Sequence, residues 1–281
     1  QFKRHYLKGE YVTCVEVDRD KNYWVTTLRN GLYVIPNIYL KNYDIPDALK
    51  NITSIDKVDD QYIFFGTASG KVGMYNIYTG VRKMIDLPTS FKVTTVKFNV
   101  YKNTVFISQG DGSYIYYLDT NELVFCPIFI NAKNIAIRDE NNIIYTSSFK
   151  ATIVHPFSNK EEQIGKVLGN RRSYTSYFSE QTNTSYVAYV DGLVAYDEQF
   201  KEEEITFKEQ SIFAIDIEET KDGTIWISTF KDGIIGMRDH KVYANFTVKN
   251  GLLSNQTSKL KSDGNNLWIV TDKGIQLLDT G

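Results

Sequence analysis

Asp222-Gly223-Thr224-Ile225-Trp226-Ile227-Ser228-Thr229, running through Phe230-Lys231-Asp232 to Gly233, is the stretch from which the fold can be read. A polar turn opens it, an apolar-alternating strand carries Trp226, and a glycine turn closes it. The pattern returns at once. Asn265-Asn266-Leu267-Trp268-Ile269-Val270-Thr271 leads through Asp272-Lys273 to Gly274, and near the N-terminus Asn22-Tyr23-Trp24-Val25-Thr26-Thr27 leads to Gly31. Between them four weaker copies put another aromatic in the tryptophan slot: Phe64 before Gly70, Phe106 before Gly112, Tyr145 before Ala151 and Tyr186 before Gly192. The seven aromatic positions are spaced by 40, 42, 39, 41, 40 and 42 residues. A period of this length, with a short strand, a turn and another strand in each copy, is that of a propeller blade of four antiparallel strands.

The sixth copy shows the grammar of a unit. Phe213, Ile215 and Ile217 alternate along a first strand, Lys221-Asp222-Gly223 turns the chain, Trp226 sits on the second strand, and Ile234-Ile235 begin the third. A more variable fourth segment follows. No linker rich in proline, glycine or serine interrupts the series, so residues 1–281 are expected to form one all-β domain, a single seven-bladed β-propeller. Blade cores are expected around Trp24, Phe64, Phe106, Tyr145, Tyr186, Trp226 and Trp268, each ring packed between neighbouring blades. The chain stops after the third strand of the last unit, whereas Phe2-Lys3-Arg4-His5-Tyr6-Leu7-Lys8-Gly9 resembles the outer strand Val242–Gly251. The N-terminal strand is therefore expected to complete the last blade and close the ring, leaving no open edge.

Composition agrees with an all-β chain. Aromatics make up 14% of the 281 residues, with 20 Tyr and 16 Phe, and proline occurs only 5 times. Charges nearly cancel, 32 Lys and Arg against 34 Asp and Glu, which argues against a nucleic-acid or anionic-lipid partner. No apolar run is long enough for a membrane helix, so no direct membrane insertion by this segment is expected. Cys14 and Cys126 fall in non-adjacent units and read as buried small hydrophobes. Glu202-Glu203-Glu204 reads as a solvated loop or outer strand.

The stretch Gly251-Leu252-Leu253-Ser254-Asn255, then Asp263-Gly264-Asn265-Asn266-Leu267-Trp268-Ile269-Val270-Thr271, then Gly274-Ile275, resembles the two-component regulator propeller repeat, and so does Lys221–Thr229. The match is close in units one, six and seven and is a pattern match in units two to five; unit four departs most, with Ala151 in the glycine slot. In that family such repeats build the extracytoplasmic sensor regions of bacterial histidine kinases. The resemblance implies a periplasmic or extracellular sensor domain, with a downstream kinase module in the same polypeptide and a homodimer of the full protein.

Chemical signatures are sparse. Thr220-Lys221-Asp222-Gly223-Thr224-Ile225-Trp226 lacks a residue that the sialidase turn Ser-x-Asp-x-Gly-x-x-Trp requires. His5, His155 and His240 have no metal-ligand spacing, Gly110-Asp111-Gly112 is a hairpin turn, and no Gly-x-Ser-x-Gly elbow occurs. No catalytic residue, metal or cofactor is expected. Binding is expected where loops gather around the central channel, which nominates the tips between second and third strands: Arg29, Asn30, Ser69, Asp111, Lys150, Asp191, Lys231, Asp232, Asp272 and Lys273. Each of these, taken alone, also reads as an ordinary solvated turn. The expected ligand is a carbohydrate or another protein. A free-standing or surface-anchored interaction propeller is the alternative, and a glycan hydrolase or lyase, built from carboxylates on different blades, is a third.

Overall fold

The computed structural model describes residues 7–19, 22–35, 49 and 51–280. The chain divides into two compact units, Gln1–Pro46 and Asp47–Gly281. The first holds one antiparallel sheet, β1 (Val12–Val17), β2 (Tyr23–Thr27) and β3 (Gly31–Ile35).

The second unit holds six antiparallel sheets. Sheet 2 is β4 (Ile52–Lys57), β5 (Tyr62–Thr67), β6 (Val72–Asn76) and β7 (Arg82–Ile85). Sheet 3 is β8 (Val93–Asn99), β9 (Thr104–Gln109), β10 (Ser113–Tyr117) and β11 (Glu122–Phe125). Sheet 4 is β12 (Asn134–Ile137), β13 (Ile143–Thr146), β14 (Ala151–Val154) and β15 (Ile164–Gly169). Sheet 5 has five strands, β16 (Ser173–Ser179), β17 (Thr184–Tyr189), β18 (Gly192–Tyr196), β19 (Glu202–Phe207) and the short β20 (Gln210–Ser211). Sheet 6 is β21 (Ala214–Glu219), β22 (Ile225–Thr229), β23 (Ile234–Arg238) and β24 (Lys241–Phe246). Sheet 7 is β25 (Thr257–Asp263), β26 (Asn266–Thr271) and β27 (Gly274–Asp279). Seven sheets of up-and-down strands, one per sequence repeat, are those of a β-propeller. The strand expected to close the last sheet lies mostly in residues 1–6, outside the described residues.

Within the second unit the first strand of each sheet runs beside the first strand of the next, β4 by β8, β8 by β12, β12 by β16, β16 by β21 and β21 by β25. The apolar core is accordingly a stack of layers, one between each consecutive pair of sheets. Trp226, Ile234, Leu252, Leu260, Leu267 and Ile269 fill the layer between sheets 6 and 7, and Phe64, Val72, Val93 and Val105 belong to the one between sheets 2 and 3. Side chains on the first strands tie neighbours together at one repeat's distance. The Asp56 carboxylate accepts from the Phe98 backbone N–H at 2.8 Å, Asn134 Oδ1 from the Ser176 N–H at 3.0 Å, and Asp216 from the Leu260 N–H at 3.0 Å.

Asp216 is the most consequential of these, being 6% exposed and also holding Lys259 Nζ at 3.2 Å and the Thr175 hydroxyl at 3.4 Å. Asp216→Ala leaves the Leu260 N–H buried without an acceptor, and a loss of about 1–3 kcal/mol in unfolding free energy is expected, read from the urea midpoint. Asp216→Asn keeps one acceptor oxygen and should lose less. Equal stability of the alanine variant and the parent would contradict the link.

The expected aromatic cores need two corrections. Phe64, Phe106, Tyr145, Tyr186 and Trp226 are buried, but Trp24 and Trp268 are 40% and 43% exposed. Trp268 belongs to the last sheet of its unit, with no following sheet within that unit to cover it, and the sheet of Trp24 stands alone in the first unit. The second correction concerns sheet 4. Tyr145 packs back toward sheet 3 with Phe106 and Ile115, while Ile144 faces sheet 5 with Val187 and Tyr189. Since side chains alternate faces along a strand, a one-residue offset puts Ile144, not Tyr145, in the forward slot.

The offset follows from how the second strands end. Thr27, Thr67, Ser147, Thr229 and Thr271 each lie three residues after Trp24, Phe64, Ile144, Trp226 and Trp268. Each hydroxyl donates across the turn, to the carbonyls of Gly31, Lys71, Lys150, Gly233 and Gly274 at 2.8–3.1 Å, and accepts a backbone N–H from within it. Aligned on this hydroxyl, sheet 4 matches sheets 1, 2, 6 and 7, and its slot holds Ile144; sheets 3 and 5 carry Gln109 and Tyr189 there instead. The two cysteines are free; Cys126 is buried, as expected, and burial pushes its thiol up to about 11, whereas Cys14 is exposed on β1. Glu202-Glu203-Glu204 forms the exposed start of β19, an outer strand, as its charge implied.

Candidate functional site

In an antiparallel sheet the turn between second and third strands lies at the same end as the connection onward to the next sheet. At this end, around sheet 6, three segments enclose a cleft of about 320 Å³. The β22–β23 turn supplies Lys231 and Asp232; the β19–β20 hairpin of sheet 5 and the residue after it supply Phe207, Lys208, Gln210, Ser211 and Ile212; β24 and the connection to sheet 7 supply Asn245, Thr247, Lys249 and Asn255. Ile235 and Ile212, 1% and 3% exposed, contribute apolar surface at its base.

The walls are held by local hydrogen bonds. Thr229 Oγ1 accepts the Asp232 N–H at 2.8 Å, and Asn245 Nδ2 donates to the carbonyls of Asp232 and Ile234 at 2.8 and 3.2 Å. Thr247 caps a 3₁₀ turn over Val248–Asn250 in a reciprocal bond with Asn250, and Gly251 follows in the left-handed conformation. Asn255 Oδ1 accepts the Val248 N–H at 2.8 Å, which fixes that amide in place. The far wall is the β19–β20 hairpin, closed by Lys208-Glu209 with φ of 52° and 61° and paired through Phe207 and Gln210. Two residues at positive φ make the tightest hairpin turn, a type I′ geometry that matches strand twist.

Of the ten turn residues singled out from sequence, the structure brings only Lys231 and Asp232 together in this cleft. Asn30, in the first unit, is held by its Nδ2 on the Glu10 carboxylate; Arg29 is exposed beside it. Ser69 bonds to Thr67, Asp111 accepts from the Thr89 hydroxyl, and Asp191 pairs with Arg171 at 2.7 Å, whose guanidinium covers the Tyr189 ring at 4.1 Å. Lys150 lies over the Tyr145 ring, and Asp272 and Lys273 bond through their backbone N–H groups at the turn. These eight belong to six turns, each of a different sheet. Lys208, Gln210, Lys249 and Asn255 were not anticipated because they lie between repeats, where the periodicity carries no signal.

A shallower hollow of about 260 Å³ lies at the opposite end, between the first turns of sheets 5 and 6, lined by Tyr177, Glu180, Gln181, Glu219 and Lys221 among others. Burial raises the Glu219 carboxyl above its ordinary range, against the hydrogen bonds from Ser179 and Tyr177 that lower it, and burial beside Glu219 pushes the Tyr177 hydroxyl up. His155 and His240 sit at this end as well, on Asn142 and on Glu203; neither lines the cleft of sheet 6. His5 lies outside the described residues. Among the described residues no group of three or more His, Cys, Asp or Glu is placed to hold a metal, and no helix is long and apolar enough to cross a membrane.

No family model matches the chain, and no curated protein matches it. Solved structures do. The extracellular domain assigned to the hybrid two-component system BT4673 of Bacteroides thetaiotaomicron superposes with a TM-score of 0.67 at 17% identity, over 95% of this chain and 38% of that one. That of BT3049 from the same organism gives 0.65 at 14% identity, over 97% and 40%. Virginiamycin B lyase from Staphylococcus aureus gives 0.65 at 11% identity, over 81% and 84%. The chain thus spans about two-fifths of the length of the two extracellular domains. At these identities the likeness establishes the propeller fold.

Proposed function

We propose that this propeller is the extracytoplasmic sensor region of a two-component histidine kinase, that it binds a ligand or partner at the turn end of sheet 6, and that it performs no chemistry itself. The observation that carries the reading is the cleft: a polar, lysine-rimmed recess assembled from three loop segments on a rigid strand scaffold, without a histidine on its wall. The repeat motif over Gly251–Ile275 and the shared fold with extracellular domains of two-component systems support the signalling context. The fold is equally that of a lyase, so fold alone does not choose between them.

Reading the gene on both sides of this segment tests the context. A membrane span followed by a kinase core is the expected result, after which Lys231→Ala with Asp232→Ala in the full protein should alter the output of a reporter under the cognate regulator. An anchoring segment or a stop in place of the kinase overturns the signalling role.

One observation favours the alternative of an interaction propeller. At the same turn end Phe149, Phe230, Phe213 and Val190 are 78%, 63%, 45% and 43% exposed. Phe213 and Phe230 are neighbours across the β21–β22 hairpin, next to the Ala214–Thr229 pair. Exposed phenylalanines grouped at one end are the surface a protein partner covers.

A further inference from the structure

We propose that the cleft of sheet 6 takes a small multivalent anion, whose carboxylate or phosphate oxygens meet Lys208, Lys231 and Lys249. The inference rests on the reading of this cleft as the binding site and adds the chemical class of its ligand.

The lining carries net positive charge. Three lysines and a single acid, Asp232, line the cleft, an excess of two positive charges on a protein whose formal net charge is −2. Like charges gathered in one recess repel, and the arrangement gains from an anion between them. Among the described residues none of the three ammonium groups has a carboxylate partner: the ion pairs of the second unit engage Lys57, Lys97, Lys102, Arg171, Arg238, His240, Lys259 and Lys261 instead. Lys208 lies over the ring of Phe207 at 4.8 Å.

Side-chain amides add neutral donors to the lining. With its Oδ1 already engaged by the Val248 N–H, Asn255 has its NH₂ as the free end of the amide, and Gln210 at the hairpin edge has an uncommitted amide. Both complement anionic oxygens. Buried Ile212 and Ile235 line the cleft from the sheets beneath.

The architecture of sheet 5 adds to this. Among the described residues only sheet 5 has a fifth strand, and its hairpin exists at the cost of two non-glycine residues in the left-handed region, Lys208 and Glu209. That addition to the repeat is what sets a third lysine at the rim. The volume, about 320 Å³, is at the small end of ligand sites and suits a molecule the size of a tricarboxylate.

Calorimetric titration of the protein with citrate, with inorganic phosphate and with glucose as an uncharged control tests the proposal, using the parent and Lys231→Ala/Lys249→Ala, whose unchanged melting temperature verifies its fold. The expected result is that citrate or phosphate binds, that glucose does not, and that the double variant weakens the anion at least about tenfold. Raising salt from about 0.05 to about 0.5 M should weaken it as well. Whichever anion binds tells carboxylate from phosphate recognition. The proposal is overturned if neither anion binds, if glucose alone binds, or if the double variant binds the anion as the parent does. Any of these outcomes leaves the signalling role standing, because that is decided separately by whether a kinase is encoded with the chain.

Discussion

Trp226→Ala is expected to lower the unfolding free energy by about 3–5 kcal/mol, a large share of the total for a domain of ordinary stability. Trp226 is 3% exposed and fills the layer between sheets 6 and 7 with Ile234, Leu252, Leu260, Leu267 and Ile269. Its ring meets Tyr243 and Phe246 at centroid distances of 6.5 and 6.0 Å, and Nε1 donates to Thr220 Oγ1 at 3.0 Å. Truncation removes the ring from all of these at once and opens a cavity that strands on both sides are too constrained to fill. Trp226→Phe retains most of the packing and gives up the Thr220 bond, so about half the loss or less is expected. Urea unfolding followed by circular dichroism checks both. A shift under about 1 kcal/mol for the alanine variant would show that this ring does not hold the two sheets together.

For Gly233→Ala the expected loss is at least about 3 kcal/mol, together with loss of binding at the adjacent cleft. Gly233 adopts φ of 74°, which a side chain disfavours, and a Cβ there would collide with the carbonyl oxygen of Phe246 on β24. Backbone cannot rotate away as a side chain does. The change therefore pushes the β22–β23 turn, and with it Lys231 and Asp232, off the edge strand. Gly264→Ala is the matched control: its φ is 63°, but a Cβ there meets nothing within 4 Å. Only the conformational cost remains, about 1–2 kcal/mol. Melting temperatures of the two variants should differ clearly; equal losses would mean that the left-handed conformation, not the close approach of Phe246, sets the cost at Gly233.

Much of this is written along the chain. A strand-turn-strand unit that recurs every 39–42 residues announces the number of sheets, because each unit must bury one face against a copy of itself and so repeats the residue that does so. Trp226, Phe64 and Phe106 were identifiable on that ground. The terminal hydroxyl of the second strand was a second signal, present in five of the seven units at Thr27, Thr67, Ser147, Thr229 and Thr271, and following it would have put Ile144 rather than Tyr145 in the slot of sheet 4. The aromatic alone misleads there, since both neighbours in a strand are apolar and only the pleat decides which way each points.

The cleft is a different matter. Periodicity predicted that turns such as Lys231-Asp232 would lie at one end of the sheets, and nothing in it distinguished sheet 6 from the rest. What singles out that sheet is non-repeating: the Lys208-Glu209 hairpin and the capped 3₁₀ turn at Val248–Asn250, some 40 residues apart in sequence and brought to opposite sides of one recess. Repeated local interactions are encoded residue by residue, so the strands, their number and their core positions can be derived from the chain. A binding recess is made by segments that share no local interaction, and it comes into being only when the sheets pack and carry those segments together.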